Sequence, residues 1–417
     1  MNNAFLKSFA TLRQVYDERA FSSIALNKTL SVCKSQDRAL ITKIVYGVLD
    51  NDIKLQYVLS KYVKKMPKGD TLIILKMGVY CLMELSLPVY TVVNDLAELS
   101  KITEDKRIVG FVNATLKHVS QTIADFNDYP QEDIAKWSVI YSYPEWALKK
   151  LIKDYGKEVA FQIVSHKSSN CTAVRVVSGD ATEIFAEAEP TCFADAFRVQ
   201  GKLPVQNDGF TVQSLSSMAI SRAVANGLCG AFLDCCSAPG GKAVYVKQLV
   251  PNVKVVACDV HPHRVELINS YAHRMKVQVE THCRDMTQYN SEWEQVFNTV
   301  LCDVPCSGFG VLDNRPDIKL FRENKDISDL MKLQYAILCN CSNYVAVGGR
   351  LIYSTCTVFD NENGQNIRKF LKEHPNFQYG EIQISELPQT NGKSFYQFLP
   401  HSDDMQGFFL AVLKRTN

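Results

Sequence analysis

Two cysteines in this 417-residue chain occur where a thiol could act as a nucleophile. Cys306 follows a proline in DVPCSGFG and Cys356 follows a threonine in YSTC, and each motif comes after an apolar run that predicts a buried strand. Asp303 lies just before the first cysteine. A thiolate can add to an electron-poor ring while a nearby acid stabilises the ring nitrogen, so this set suits covalent catalysis. The ordinary alternative is that both cysteines are small buried apolar residues.

From about residue 225 the sequence repeats a pattern of apolar strand, tight turn and helix, which is typical of a doubly wound parallel sheet. The loop CCSAPGGK follows the first strand, and the next three strands are expected to end at Asp259, Asp285 and Asp303. Ligands of such sheets bind beyond the carboxyl ends of the strands. An acid after the second strand suits the hydroxyl groups of a ribose, and an acid after the third suits the amino group of an adenine. The sheet should therefore hold a cofactor that contains adenosine.

The spacing of the glycines separates two such cofactors. A nicotinamide dinucleotide is usually bound by G-x-G-x-x-G, and APGGK lacks that spacing. We therefore expect S-adenosylmethionine, and a nicotinamide-dependent oxidoreductase is the weaker alternative. A methyl donor beside two cysteines fits methylation of cytosine at C5, because a thiolate that adds to C6 makes the poorly nucleophilic C5 reactive. Such chemistry needs a cysteine with a lowered pKa and a base turned out of its stack.

Charge and cysteine content argue against several other classes of protein. The 46 Lys and Arg against 44 Asp and Glu give a net charge of +2, so any polyanion must be held by local patches. The sequence has no run of about 18 apolar residues, and we expect no membrane span. The fourteen cysteines are spread through long apolar segments, which favours a reducing cytoplasmic compartment over a disulfide framework.

Several other cysteines lie inside apolar strand or helix patterns and are expected in the core: Cys258, Cys302, Cys339 and Cys341. No metal site is expected from the cysteine spacing. The pairs Cys235-Cys236 and Cys302-x3-Cys306 lack a second suitably spaced pair or a histidine partner.

Three regions are predicted along the chain. Residues 1–140 have apolar residues at helical spacing, one run of them behind the possible helix cap Asp37, and should form an all-α bundle. Residues 141–215 combine a helix with short alternating pieces such as CTAVRVVS and FRVQGKLPV, which indicates a small α+β subdomain. Residues 216–417 should form an α/β, Rossmann-like catalytic domain.

The chain resembles the RNA (cytosine-5) methyltransferase family in the order and spacing of its motifs: CCSAPGGK, DVHPHR, CRD, DVPCSGFG, RPDIKL, YSTCTV, NEN and GFFLAVLKR. The N-terminal bundle resembles NusB-like RNA-binding domains in three helical stretches: LIILKMGVYCLMEL, VYTVVNDLAELSK and GFVNATLKHV. These resemblances imply a bacterial enzyme that methylates ribosomal RNA of the small subunit, with a helical domain that contacts this RNA. We expect it to act as a monomer.

The resemblance also implies roles for individual residues. Cys356 would attack C6, Cys306 would assist release of the product, and Asp303 would hydrogen-bond the cytosine ring and face the cofactor. Asp259 would bind the ribose of S-adenosylmethionine and Asp285 its adenine. The rest of the cofactor site would be a loop of seven residues: Cys236, Ser237, Ala238, Pro239, Gly240, Gly241 and Lys242.

Two further features bear on the substrate. In DNA cytosine-5 methyltransferases the cysteine after proline is the nucleophile and a glutamine commonly follows it. Here Ser307 follows, and a second cysteine stands after threonine, so RNA is favoured. Relatives often have two arginines and a histidine before Pro-Asp-Ile-Lys, whereas this chain has Asp313-Asn314-Arg315, which removes positive charge from one expected phosphate contact. The alternative from another class is a non-catalytic RNA-binding protein with a relic methyltransferase fold, which the intact motifs disfavour.

Overall fold

The chain forms two units in the computed structural model, which describes residues 3–103, 105–123, 126–167, 171–201, 203–204 and 207–417. One unit is Met1–Ser165 with Leu312–Glu323, and the other is His166–Val311 with Asn324–Asn417. The division of the sequence at residues 140 and 215 stays a prediction. Across the described ranges, none of the helices combines the length and the apolar composition that crossing a membrane requires.

The first unit is helical in its described residues, with α1 Asn3–Glu18, α2 Ser22–Ser31, α3 Ser35–Asp50, α4 Asp52–Ser60, α5 Gly69–Met83, α6 Val89–Leu99, α7 Lys106–Thr122, α8 Asp133–Ile140, α9 Glu145–Tyr155 and α10 Lys157–Ser165. Helix α3 buries one apolar face, including Ile44 and Val48. Helix α5 is apolar and buried on nearly every side, so it lies within the bundle. Its Gly78 permits close approach of α7, since a Cβ there would lie 2.4 Å from Leu116 Cδ2. The predicted all-α bundle is confirmed.

The predicted cap of α3 is wrong by three positions. The helix begins at Ser35, with Lys34 as the residue before it, so Asp37 lies in the first turn. Its carboxylate accepts a hydrogen bond from Asn3 Nδ2 over 3.1 Å. An acid in the first turn interacts favourably with the helix N-terminus whether or not it is the cap, and sequence pattern does not separate the two positions.

The second unit begins with a small antiparallel sheet in the order β2-β3-β1-β4. Its elements are β1 Cys171–Val176, α11 Ala181–Ile184, β2 Ala188–Pro190, β3 Ala196–Gln200 and β4 Phe210–Val212. Val174, Phe185, Val199 and Phe210 form its buried core. The α+β character of this piece is confirmed, although residues 202 and 205 of FRVQGKLPV lie outside the described residues.

A larger sheet follows in the order β10-β12-β9-β8-β5-β6-β7, with β11 also paired to β12. Its strands are β5 Ala231–Asp234, β6 Lys254–Asp259, β7 Glu280–Cys283, β8 Phe297–Asp303, β9 Val345–Thr355, β10 Phe377–Tyr379, β11 Phe395–Phe398 and β12 Phe408–Arg415. The helices of this unit are α12 Leu215–Ala225, α13 Gly241–Leu249, α14 Pro262–Arg274, α16 Asn324–Ser342, α17 Gly364–Glu373 and α18 Pro400–Asp403. The α/β, Rossmann-like fold is confirmed.

The sheet is mixed, which corrects the expectation of a parallel sheet. Strands β5 to β9 pair in parallel, whereas β12 pairs antiparallel with β9, β10 and β11. Residues 399–407 join β11 to β12, which is too few for the crossover that a parallel pair needs. Strand β12 is also buried along most of its length, so its side chains show no alternation from which a direction could be inferred.

The acids expected at strand ends are close to their predicted positions. Asp259 and Asp303 are the last residues of β6 and β8, while Asp285 lies two residues beyond the end of β7. Parallel pairing of β8 with β9 places Asp303 beside Ser354. The segments that follow these strands, including both cysteine motifs, therefore meet at one edge of the sheet.

The segment Leu312–Glu323 belongs to the helical unit and contains the short helix α15, Asp317–Phe321. Arg315 Nη2 lies 3.1 Å from the buried carboxylate of Asp317, and its guanidinium carbon lies 4.5 Å from the centre of the Phe21 ring. The arginine of the altered Asp-Asn-Arg stretch is thus engaged by contacts inside this unit.

Candidate active site

A cavity of about 430 Å³ lies beyond the carboxyl ends of the parallel strands in the second unit. Its lining includes eight of the predicted site residues: Cys236, Ala238, Lys242, Asp259, Asp285, Asp303, Cys306 and Cys356. The other four are Ser237, Pro239 and Gly240 in the turn from β5 into α13, and Gly241 at the start of that helix. Gly240 has a φ of +101°, in the left-handed region that favours glycine, and a Cβ there would lie 3.3 Å from the Ile268 Cα.

Cys306 and Cys356, the cysteine pair, face each other in this cavity. They follow the neighbouring strands β8 and β9, and their Sγ atoms are 3.2 Å apart. The backbone N–H of Cys356 donates to Cys306 Sγ over 3.3 Å. The hydrogen bond between the sulfurs lowers the pKa of Cys356 against the opposing effect of burial, and it raises the pKa of Cys306 well above its usual value. These opposite shifts favour thiolate character at Cys356 over Cys306.

A partly buried ion pair lies in the same cavity as the cysteine pair. Lys242 Nζ is 2.5 Å from Asp303 Oδ2, and Ser354 Oγ donates to Asp303 Oδ1 over 2.6 Å. Burial is the largest single effect on the pKa of Lys242 and acts to lower it. The charge and hydrogen bond of Asp303, with the charges of Asp234 and Cys356, together outweigh burial, so the pKa is raised and the lysine stays charged. The charge of Lys242 acts to lower the pKa of Cys356, while the charge of Asp303 acts somewhat more strongly to raise it, so the net lowering comes from the hydrogen bond with Cys306.

Asp234 is a further acid near this ion pair that the sequence interpretation missed. It ends β5 and is 1% exposed, and burial, followed by repulsion from Asp303, raises its pKa to about 7. The charge of Lys242 acts to lower the pKa of Asp234. The charge in this part of the unit therefore changes with protonation near neutral pH. The position of Asp234 at a strand end, directly before the cofactor loop, was a signal that could have identified it.

The cofactor part of the cavity has hydrogen-bond acceptors and surfaces that fit adenosine. Asp259 is 3% exposed and its Oδ1 accepts from the backbone N–H of His261 over 3.1 Å. Val260 and Met286, which directly follow Asp259 and Asp285, supply apolar lining beside the two acids. Two carboxylates with apolar surface between them match the hydroxyl groups of a ribose and the face of a purine. The residues present therefore fit S-adenosylmethionine.

Other lining residues were not predicted. Arg284 lies in the CRD motif and Phe408 in GFFLAVLKR, so a signal was present for both. Leu333 and Ile337 on α16 also line the cavity. Their helical spacing does not differ from that of ordinary core residues, and sequence pattern alone could not have separated them.

Cys235, Cys302 and Cys341, the core trio, form a second cluster of cysteines, and Cys235 is also part of the cavity lining. Their Sγ atoms all lie within 4.8 Å of one another, and each residue is at most 1% exposed. They pack in the apolar core that the sheet shares with α16. The expected burial is confirmed for Cys302 and Cys341, and for Cys258, whereas Cys339 is only partly buried. The spacing of the cysteines gave no indication that three of them converge.

The chain matches two protein-family models. Residues 6–121 match the NusB family, and residues 227–414 match the 16S rRNA methyltransferase RsmB/F family. The chain is 30% identical to the probable ribosomal RNA small subunit methyltransferase B of Bacillus subtilis, over 96% of this chain and 95% of that protein. The chain belongs to the RsmB/F family of 16S rRNA methyltransferases. It is also 27% identical to the ribosomal RNA small subunit methyltransferase B of Vibrio cholerae, over 97% of this chain and 96% of that protein.

Solved structures have the same fold. The crystal structure of PH0851 has a TM-score of 0.81 and 20% identity, covering 100% of this chain and 99% of that chain. NSun6 from Pyrococcus horikoshii with SFG has a TM-score of 0.56 and 18% identity, covering 66% of this chain and 98% of that chain. The family comprises S-adenosylmethionine-dependent methyltransferases of small-subunit ribosomal RNA, so the cofactor predicted from the glycine loop is confirmed.

Proposed function

We propose that this chain transfers a methyl group from S-adenosylmethionine to C5 of a cytosine in small-subunit ribosomal RNA, with Cys356 as the nucleophile. The observation that carries the proposal is the cysteine pair, with sulfurs 3.2 Å apart in a cavity that also contains the Lys242–Asp303 ion pair. Methyl transfer to a nitrogen or oxygen needs no thiolate, whereas transfer to the weakly nucleophilic C5 of cytosine does.

Cys356 carries the first step. Its thiolate, favoured by the hydrogen bond from Cys306, adds to C6 of the cytosine, and the electron pair of the C5–C6 double bond becomes available at C5 as an enamine. Asp303 hydrogen-bonds the ring. The ammonium group of Lys242, held against Asp303, balances the negative charge that moves onto the ring.

When bound, S-adenosylmethionine supplies an electrophilic methyl group on a sulfonium. Asp259 would hold its ribose hydroxyls and Asp285 its adenine amino group, with the loop of Cys236 to Lys242 around the remainder and Asp303 facing it. Transfer of the methyl group to C5 would leave the electron pair of the broken S–CH3 bond on the donor sulfur, as the thioether of S-adenosylhomocysteine. A base then removes the C5 proton, the electron pair of that C–H bond restores the double bond, and the C6–S bond breaks. Cys306 assists this release of the Cys356 thiolate.

Covalent trapping tests the assignment of the nucleophile. Cys306→Ala mixed with the target RNA and S-adenosylmethionine should accumulate a protein–RNA adduct that survives a denaturing gel, because release is blocked. Cys356→Ala should form none. Since Cys306→Ala also removes the hydrogen bond that lowers the pKa of Cys356, the incubation is repeated at higher pH. An adduct with Cys356→Ala and none with Cys306→Ala would reassign the nucleophile.

We also propose that the helical unit binds the RNA and that an unpaired cytosine enters the cavity. The NusB match over residues 6–121 supports this, as do the exposed lysines between α4 and α5: Lys61, Lys64, Lys65 and Lys68. Because such contacts are to phosphate, the affinity for RNA should fall as the salt concentration rises. A non-catalytic protein would bind RNA without methylating it. Bisulfite sequencing of ribosomal RNA from cells with and without the gene separates these cases.

A further inference from the structure

Glu362 lies at the centre of a buried polar network behind the cysteine pair. It is in the turn between β9 and α17 and is 0% exposed. Its Oε1 accepts from the backbone N–H of Ser307 and from Gln334 Nε2, both over 2.9 Å, and its Oε2 accepts from Ser307 Oγ over 2.6 Å. The described lining of the cavity includes neither Glu362 nor Gln334, so neither is placed to touch the substrate.

These hydrogen bonds reach the immediate neighbours of both paired cysteines. Ser307 Oγ, besides its bond to Glu362, lies 2.7 Å from the hydroxyl oxygen of Thr357. Gln334 Nε2 also donates to the carbonyl oxygen of Pro305 over 3.0 Å. Pro305 and Ser307 flank the first cysteine, and Thr357 follows the second. One carboxylate therefore links the loop after β8 to the loop after β9.

The chemistry of Glu362 suits this linking role. A carboxylate is costly to bury unless hydrogen bonds replace its water, and the bonds from Ser307 and Gln334 do so. Such bonds hold the two loops in a fixed relation more firmly than the packing of small serine and threonine side chains would.

We propose that Glu362 is a positioning residue that keeps the sulfurs of the cysteine pair at hydrogen-bonding distance. The inference rests on the proposed function for its effect on catalysis, but the relation between the two sulfurs can be measured without RNA. Displacement of reacting groups by about 1 Å can lower a rate about 100-fold. Loss of the carboxylate should therefore slow methyl transfer on this scale without changing the binding of the cofactor.

The first test compares two substitutions at Glu362. We expect Glu362→Ala to lower kcat about 100-fold and to leave the KM for S-adenosylmethionine unchanged. Glu362→Gln keeps the length of the side chain and an oxygen that accepts from the Ser307 N–H, so it should recover most of the activity. Arg350→Gln is the matched control, since it removes half-buried bonds to the carbonyls of Ala223 and Val224 in the same unit. It should lower stability and leave kcat unchanged.

The second test measures the sulfurs directly by oxidation with diamide. Two thiols lose two protons and two electrons to form one disulfide, and diamide takes them up to become the hydrazine. The disulfide joining the cysteine pair is followed by peptide mass spectrometry. It should form quickly in the wild-type protein and in Glu362→Gln, and at least about 10-fold more slowly in Glu362→Ala. A general loss of stability, as in Arg350→Gln, should not slow it.

The inference would be overturned by a folded Glu362→Ala variant that has the wild-type kcat and forms the disulfide at the wild-type rate. Equal losses of kcat in the Ala and Gln variants would also overturn it. So would slower disulfide formation in Arg350→Gln. Should Glu362→Ala fail to fold, Ser307→Ala removes the hydroxyl bonds and keeps the N–H bond, and it must lower both rates by a smaller factor for the inference to hold. If the wild-type protein links its thiols but never methylates RNA, the proposed function fails, and the linking rates alone decide the positioning role.

Discussion

The cysteine pair and the core trio lie in the same unit, and the thiol with the lowered pKa in each, Cys356 and Cys302, differs in access and in nearby charge. Hydrogen bonds between sulfurs lower the pKa of one thiol in each cluster, Cys356 in the pair and Cys302 in the trio. Cys356 lines the cavity beside Lys242, whereas Cys302 is 0% exposed. A lowered pKa is therefore not enough to make a thiol catalytic, because a substrate must reach it and a cation must stabilise the charge that develops.

The largest expected effect comes from replacing one cysteine in each cluster. Cys356→Ala should reduce single-turnover methyl transfer to RNA at least about 1,000-fold, because the proposed nucleophile is lost. Cys341→Ala in the core trio should leave that rate unchanged. Substantial methylation by Cys356→Ala would remove the chemical distinction between the clusters.

Removing the cation from the cavity should have the next largest effect. Lys242→Met is expected to lower kcat roughly 100-fold, since a preorganised charge is lost. The lysine charge contributes to the lowered pKa of Cys356, so its removal raises that pKa and moves alkylation of Cys356 by iodoacetamide to higher pH. Peptide mass spectrometry gives the rate at each pH.

Lys247→Met is the matched control for this substitution. Lys247 is on the same helix, but its Nζ donates to the backbone carbonyl of Val253 over 2.7 Å, and it is not part of the described lining of the cavity. The alkylation profile and kcat should stay as in the wild type. If the pH dependence of alkylation were unchanged in Lys242→Met, the lysine would not affect the pKa of Cys356.

Alkylation of the wild-type protein measures the difference in access between Cys356 and Cys302. At neutral pH, iodoacetamide should label Cys356 at least about 100-fold faster than Cys302, because the core thiol reacts only when the core opens. The exposed cysteines also react, so each site must be followed by its own peptide: Cys192, Cys229 and Cys283. Comparable labelling of Cys302 and Cys356 would contradict the assigned burial.

The smallest expected effect is on stability. Cys341→Ala removes a completely buried sulfur and should lower the free energy of unfolding by about 1–2 kcal/mol. Cys306→Ala, at a partly exposed position in the cavity, should cost less. Urea denaturation followed by circular dichroism measures both. The reverse order would indicate that the cysteine pair, and not the core trio, supports the fold.

The two clusters also show how far the sequence could be interpreted. Asp303 and Cys356 were predictable because strand-end positions follow from local patterns, and parallel strands bring such ends to one edge. The core trio was not predictable, because its members come from the loop after β5, from β8 and from α16. Local spacing does not show which distant residues meet. Glu362 lies in the NEN motif, but its role was missed for the same reason: its partners Ser307 and Gln334 are distant in sequence. The antiparallel direction of β12 depends on pairing that its apolar run does not encode.

The most direct test of the central claim is the mass spectrum of peptides from wild-type protein incubated with S-adenosylmethionine and target RNA that carries 5-fluorocytosine. Fluorine at C5 cannot leave as a proton, so the intermediate should stay attached. We predict a nucleotide on the peptide that contains Cys356 and none on the peptide that contains Cys306. Attachment at Cys306, or no attachment while the ordinary RNA is methylated at C5, would contradict the account.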